Sequence, residues 1–234
     1  MKTIGLIGGM SWESSAEYYR LINQATRTRL GGQHNAPSLM LTVDFAPIEA
    51  LQAAGDWDTL GERMAQAARQ LEAGGAECVV LCTNTMHKLA PQIETATRLP
   101  LLHIADATAD AIKAAGFSRA GLLGTRFTME QDFYRGRLEQ RHGLSVLLPE
   151  AAERDTVHHV IYQELCQGVI RDASRDAYRR IIDGLFERGA QCVILGCTEI
   201  GLLIQQADTA LPVFDTTRLH AEAAVAWSLV SEPA

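Results

Sequence analysis

The sequence predicts an α/β protein of two pseudo-symmetric lobes, each a parallel sheet flanked by helices, with a ligand site between them. Three observations carry this. Short continuous apolar runs alternate with amphipathic helical patterns, the mark of βαβ units and of a parallel sheet covered on both faces. One passage occurs twice, as Ala76-Glu77-Cys78-Val79-Val80-Leu81-Cys82-Thr83-Asn84-Thr85 and as Ala190-Gln191-Cys192-Val193-Ile194-Leu195-Gly196-Cys197-Thr198-Glu199. Other matches share the same offset of about 115 positions: Gly5 and Gly8 with Gly121 and Gly124, and Leu99-Pro100 with Leu211-Pro212.

Each element follows from its pattern. Residues 4–8, 39–43, 78–81 and 101–104 are apolar runs of strand length, and 120–124, 145–148, 192–195 and 213–214 repeat the rhythm in the second half. Over 62–72, Met64, Ala67, Ala68 and Leu71 recur at helical steps before the stop Gly74-Gly75. Over 175–188, Tyr178, Ile181, Ile182, Leu185 and Phe186 do the same before Gly189. Residues 106–115 and 218–229 form the last helix of each half. The first lobe is therefore 1–116 and the second 117–216, with a C-terminal helix at about 217–231 expected to return to the first. No Pro/Gly/Ser-rich linker separates them, so the junction near Gly116 is short.

The 234 residues suffice for one large core or two small ones. A net charge of -7, without a basic run, argues against nucleic-acid and anionic-membrane partners. No apolar stretch reaches membrane-span length, and Met1-Lys2-Thr3-Ile4 enters a strand without a signal-peptide pattern, so a cytoplasmic location is expected. The five cysteines show no C-x-x-C spacing, which disfavours a disulfide framework or a zinc site. Cys78 and Cys192, inside apolar runs, are core residues.

In parallel sheets ligands bind beyond the carboxyl ends of the strands. Four loops fall there: Gly8-Gly9-Met10-Ser11, Thr83-Asn84-Thr85, Gly124-Thr125-Arg126-Phe127-Thr128 and Cys197-Thr198-Glu199. Cys197, at a helix start, is expected to meet backbone N–H groups and the positive end of a helix dipole, which favour thiolate, with Thr198 as the cap. Its counterpart in the first copy is Thr83, a far weaker base, which would act as a proton donor through water or through His87 four residues on. Cys82 points to the opposite strand face and belongs to the core. The bland alternatives are a packed strand-end cysteine at 197, a helix cap at Thr83 and an ordinary polar helix residue at His87. No dinucleotide, phosphate-loop or hydrolase-elbow motif occurs, and the pair His158-His159 lacks a third ligand, so neither nucleotide nor metal is assigned.

These motifs together resemble the aspartate/glutamate racemase family over essentially the whole chain. The resemblance rests on Ile4-Gly5-Leu6-Ile7-Gly8-Gly9-Met10, Thr83-Asn84-Thr85-Met86-His87, Gly124-Thr125-Arg126-Phe127-Thr128 and Gly196-Cys197-Thr198-Glu199. It implies a cofactor-independent amino-acid racemase in which two thiols flank the substrate Cα. Cys197 matches the thiol serving the L-enantiomer, whereas the family's other thiol falls on Thr83. Asn84, Thr85, Thr125 and Thr198 match positions that hold the α-carboxylate, and Glu199 one that assists the thiol. Met10, Gln52 and Thr128 complete the expected substrate-binding set. The family's basic positions fall on Gln52 and Cys166, so the grip on an acidic side chain is weaker or rebuilt, with Arg126 or backbone N–H groups as the substitutes. The expected partner is a small amino acid, and a homodimer is the expected assembly, the commonest closed form. The rival readings are a single-thiol decarboxylase of the same superfamily and a non-catalytic binder of small carboxylates.

Overall fold

In the computed structural model, which describes residues 1–230, the apolar runs become two separate four-stranded parallel sheets. The first contains β1 (Ile4–Gly8), α1 (Trp12–Leu30), β2 (Ser38–Thr42), α2 (Phe45–Ala54), α3 (Trp57–Ala73), β3 (Cys78–Leu81), α4 (Ala90–Ala96) and β4 (Leu101–Leu102). Its strand order is β2-β1-β3-β4. Strand alternation sorts its side chains into two cores. Val79 and Leu81 join Leu60, Met64, Ala68 and Leu71 of α3 on one face. Cys78, Val80 and Cys82 join Tyr18 and Ile22 of α1 on the other. Gly5 permits the close strand approach, because a Cβ there would lie 2.6 Å from the Cys78 carbonyl oxygen.

The second sheet is built from α5 (Ile104–Ala114), β5 (Arg119–Gly124), α6 (Arg126–Glu130), β6 (Ser145–Leu147), α7 (Ala151–Gln163), α8 (Asp172–Glu187), β7 (Cys192–Gly196), α9 (Ile200–Leu203) and β8 (Val213–Asp215). Its order, β6-β5-β7-β8, reproduces the first, so the repeat in sequence is a repeat in topology. α10 (Thr216–Leu229) follows.

The chain divides into Met1–His103 with the residues from 220 on, and Ile104–Leu219. The sequence puts the junction near Gly116 instead. The difference lies in α5, whose Ile104, Ala105, Ala109 and Ile112 are buried with Ala120 and Leu122 of the second unit. α10 goes the other way: Ala221, Ala224 and Val225 lie in the first unit's core, and Lys2 N–H donates to the Ser228 carbonyl at 2.8 Å. No helix among the described residues is long and apolar enough to cross a membrane.

Candidate active site

In the second unit β5 and β7 stay in register to the pair Gly124 and Gly196. A Cβ at Gly124 would lie 2.9 Å from the Gly196 oxygen, and one at Gly196 would lie 2.8 Å from the Leu123 oxygen. Only bare backbone fits at this end, so the next residues, Thr125 and Cys197, leave adjacent strands side by side.

Cys197 donates its Sγ–H to Glu199 Oε2 at 2.9 Å, and the same oxygen accepts the Thr198 hydroxyl at 2.6 Å. Glu199 is buried. Burial, then the charge of Glu199 and the neighbouring Cys166, hold the Cys197 thiol well above the ordinary thiol range, and its bond to Glu199 adds to the effect. The Glu199 backbone N–H does favour the thiolate, as expected, but it is outweighed, so the expectation of a resting thiolate is corrected. α9 is only four residues long and starts three positions later, so its weak dipole is outweighed by a carboxylate in direct contact. Nor does Thr198 cap the helix: the N-cap is Glu199, and the Thr198 hydroxyl is turned to the Glu199 carboxylate. What results is a protonated thiol already bonded to a proton acceptor.

The surroundings of this pair come from α7, α8 and the 3₁₀ turn Leu165–Gln167, which carries Cys166. Tyr178 is buried and donates to the Val157 carbonyl at 2.9 Å. Its hydroxyl is pushed up first by burial, then by Cys197, Glu164 and Cys166, which places these groups in one neighbourhood. Glu164 accepts from Ser174 Oγ at 2.6 Å.

Thr125 caps α6, accepting from Thr128 N–H at 3.2 Å, and the two hydroxyls lie 3.2 Å apart. Arg126 is committed elsewhere: its guanidinium pairs with Asp155 at 2.7 Å, both side chains being exposed. Its backbone N–H donates to His158 Nδ1 at 3.2 Å. Burial and then the Arg126 charge lower the pKa of His158, which favours the unprotonated Nδ1 this bond requires. Sequence reasoning weighed His158 only as a metal ligand and missed this loop-holding role.

In the first unit β1 and β3 are in register to Ile7 and Leu81, and Cys82 N–H donates to the Ile7 carbonyl at 2.9 Å. The strand alternation continues, so Cys82 turns into the core with Tyr18 and Ala221, where burial drives its thiol far up. Past the strand the backbone turns, Thr83 N–H donating back to the Leu81 carbonyl at 2.8 Å; Thr83 is 8% exposed and is followed by the buried Asn84 and Thr85. Thr83 is not a cap, since the N-cap of the 3₁₀ turn Thr85–Leu89 is Asn84. Gln52, buried on α2, donates from Nε2 to Met86 Sδ at 3.1 Å, which carries it to this turn. Met10 packs in the same core as Met86 and Ile48. His87 Nδ1 meets the Thr83 carbonyl at 2.7 Å and not its hydroxyl, which removes the direct relay expected from the sequence. Ser14 Oγ–H donates to the Cys82 carbonyl at 3.0 Å, a contact that no local motif announces.

Residues 7–224 match the family described as Asp/Glu/Hydantoin racemase. The chain belongs to that family. A candidate Asp/Glu racemase from Yersinia pestis, known from its crystal structure, is 55% identical, with TM-score 0.92 and 98% of this chain and 100% of that chain covered. An aspartate racemase homologue from Pyrococcus horikoshii OT3 is 31% identical, with TM-score 0.85 and coverage of 97% and 99%. The broad specificity amino-acid racemase RacX of Bacillus subtilis (strain 168) is 20% identical over 231 residues, 95% of this chain and 96% of RacX. Membership supports an isomerase of the amino-acid racemase type, and the two sheets have the architecture of these racemase structures.

Proposed function

We propose that the chain is a cofactor-independent racemase of aspartate, glutamate or related amino acids, biased to the L-enantiomer. The observation that carries this reading is Cys197, a thiol at a strand end bonded to the buried Glu199 carboxylate at 2.9 Å. When substrate binds, the Sγ proton passes to Glu199, and the thiolate so formed removes the α-proton of the L-substrate. Thr83 returns a proton to the opposite face and is resupplied through water, to which Glu199 gives up the proton it took. Asn84, Thr85, Thr125 and Thr198 with backbone N–H groups hold the α-carboxylate and the charge that develops on it, a term often larger than any other in such reactions. Met10, Gln52 and Thr128 complete the substrate-binding set. With neither Gln52 nor Cys166 cationic and Arg126 paired to Asp155, the grip on an acidic side chain is weaker, which favours the wider substrate range.

The test is α-proton exchange in D₂O, followed by NMR. L-aspartate or L-glutamate exchanges faster than the D-form, and Cys197→Ser abolishes exchange while leaving ligand affinity nearly intact. Equal exchange of both enantiomers, or none with Cys197 present, refutes the one-thiol account; the second result leaves a binding protein.

A further inference from the structure

Thr83 sits between two carbonyl groups, and each is held from within the first unit. Ser14 Oγ–H, near the start of α1, donates to the Cys82 carbonyl at 3.0 Å. His87 Nδ1 lies 2.7 Å from the Thr83 carbonyl oxygen. A carbonyl only accepts, so the proton of this bond belongs to His87 Nδ1. The two bonds fix the peptide planes on both sides of the Thr83 Cα and therefore the direction of its Cβ and hydroxyl.

His87 is itself held in place. Its buried ring lies 4.5 Å from His103 and 5.7 Å from His220, centroid to centroid. His220 is fixed by both nitrogens: Nε2–H donates to the Leu102 carbonyl at 2.7 Å, which leaves Nδ1 to accept the Tyr18 hydroxyl at 2.8 Å. Elements as separate as α1, β4 and α10 thus brace one imidazole against the loop that carries Thr83.

We infer that His87 is a positioning residue for Thr83, seconded by Ser14, and that it sets the reprotonation step without touching the substrate. The inference rests on the proposed role of Thr83 as proton donor. Misplacing a reacting group by about 1 Å can cost on the order of 10²-fold, so loss of the bond is expected to fall most heavily on the Thr83 half-reaction.

The experiment measures two rates in D₂O for each variant: α-proton exchange of the L-substrate, whose acid-base pair is Cys197 and Glu199, and formation of the D-enantiomer, which draws on Thr83 as well. In His87→Asn the amide Nδ2 stands where Nδ1 stood, and the ratio of racemisation to exchange stays within a few-fold of the parent. In His87→Gln and His87→Ala no donor remains at that place, and the ratio falls about 10- to 100-fold while exchange persists. Ser14→Ala lowers the ratio in the same direction. If His87→Ala does not fold, the Asn and Gln variants decide the matter. An unchanged ratio in His87→Gln, or an equal fall of both rates, overturns the inference. A parent enzyme that exchanges nothing overturns the racemase reading itself, and this inference with it.

Discussion

Glu199→Gln separates two effects that a carboxylate has on the thiol beside it. The residue is buried, and one of its oxygens accepts from Cys197 at 2.9 Å and from Thr198 at 2.6 Å. Its charge helps to keep Cys197 protonated, second only to burial. Two unit negative charges about 4 Å apart repel by roughly 4 kcal/mol at an effective dielectric near 20, so thiolate and carboxylate do not coexist comfortably. The amide removes that repulsion and lowers the thiol's pKa, so alkylation of Cys197 by iodoacetamide at fixed pH becomes faster. It also removes the acceptor for the Sγ proton, and general acid-base groups contribute about 10²–10⁴-fold. The relieved repulsion offsets part of this, leaving an expected net loss of about 10²-fold in exchange of the L-substrate. The two readouts thus move in opposite directions. If exchange stays within a few-fold of the parent, or rises together with alkylation, Glu199 is a source of repulsion and not the proton acceptor.

Two further outcomes are expected. Thr83→Cys introduces a thiol where the second copy has one, and exchange of the D-enantiomer should rise by at least 10²-fold in the same NMR assay, given the usual worth of a placed acid or base. Asp106→Asn should weaken the second unit, because Asp106 accepts two bonds from Arg137, at 2.6 and 2.7 Å, and one from His142 at 2.8 Å. Urea unfolding near neutral pH should show a loss of about 1.5–3 kcal/mol, the range for bonds to a charged group. Burial raises the Asp106 carboxyl, but Arg137 and His142 outweigh it and hold the carboxyl below the usual range. A depressed pKa stabilises above the unfolded value of about 3.9 and is lost as pH falls through the folded value, so the gap between parent and variant closes below about pH 4.

Much of the fold was legible because strands and helices leave different periods. The run Cys78-Val79-Val80-Leu81 is apolar at every position since its sheet is covered on both faces, and the same holds at Cys192-Val193-Ile194-Leu195. The division at Ile104 was not legible. Ile104, Ala109 and Ile112 form an apolar stripe that any sheet would accept, and only the contacts with Ala120 and Leu122 assign it. The site shows the same split. Aligning the two copies makes Thr83 and Cys197 the candidate pair, and alternation places Cys82 in the core, where the structure has it. Ser14 and His220 lie 68 and 118 positions from the carbonyls they bond, so no local pattern points to them.

The sequence by itself determined the α/β class, the repeat, the strand ends that carry the candidate site and the unequal residues, Thr83 and Cys197, at matching places in the two copies. These are properties of spacing, and spacing is written in the chain. The tertiary structure decided the protonation of Cys197, the commitment of Arg126 to Asp155, the place of α5 and the bracing of the Thr83 loop. Each depends on burial or on a bonding partner placed by the fold, and neither exists until the units have folded.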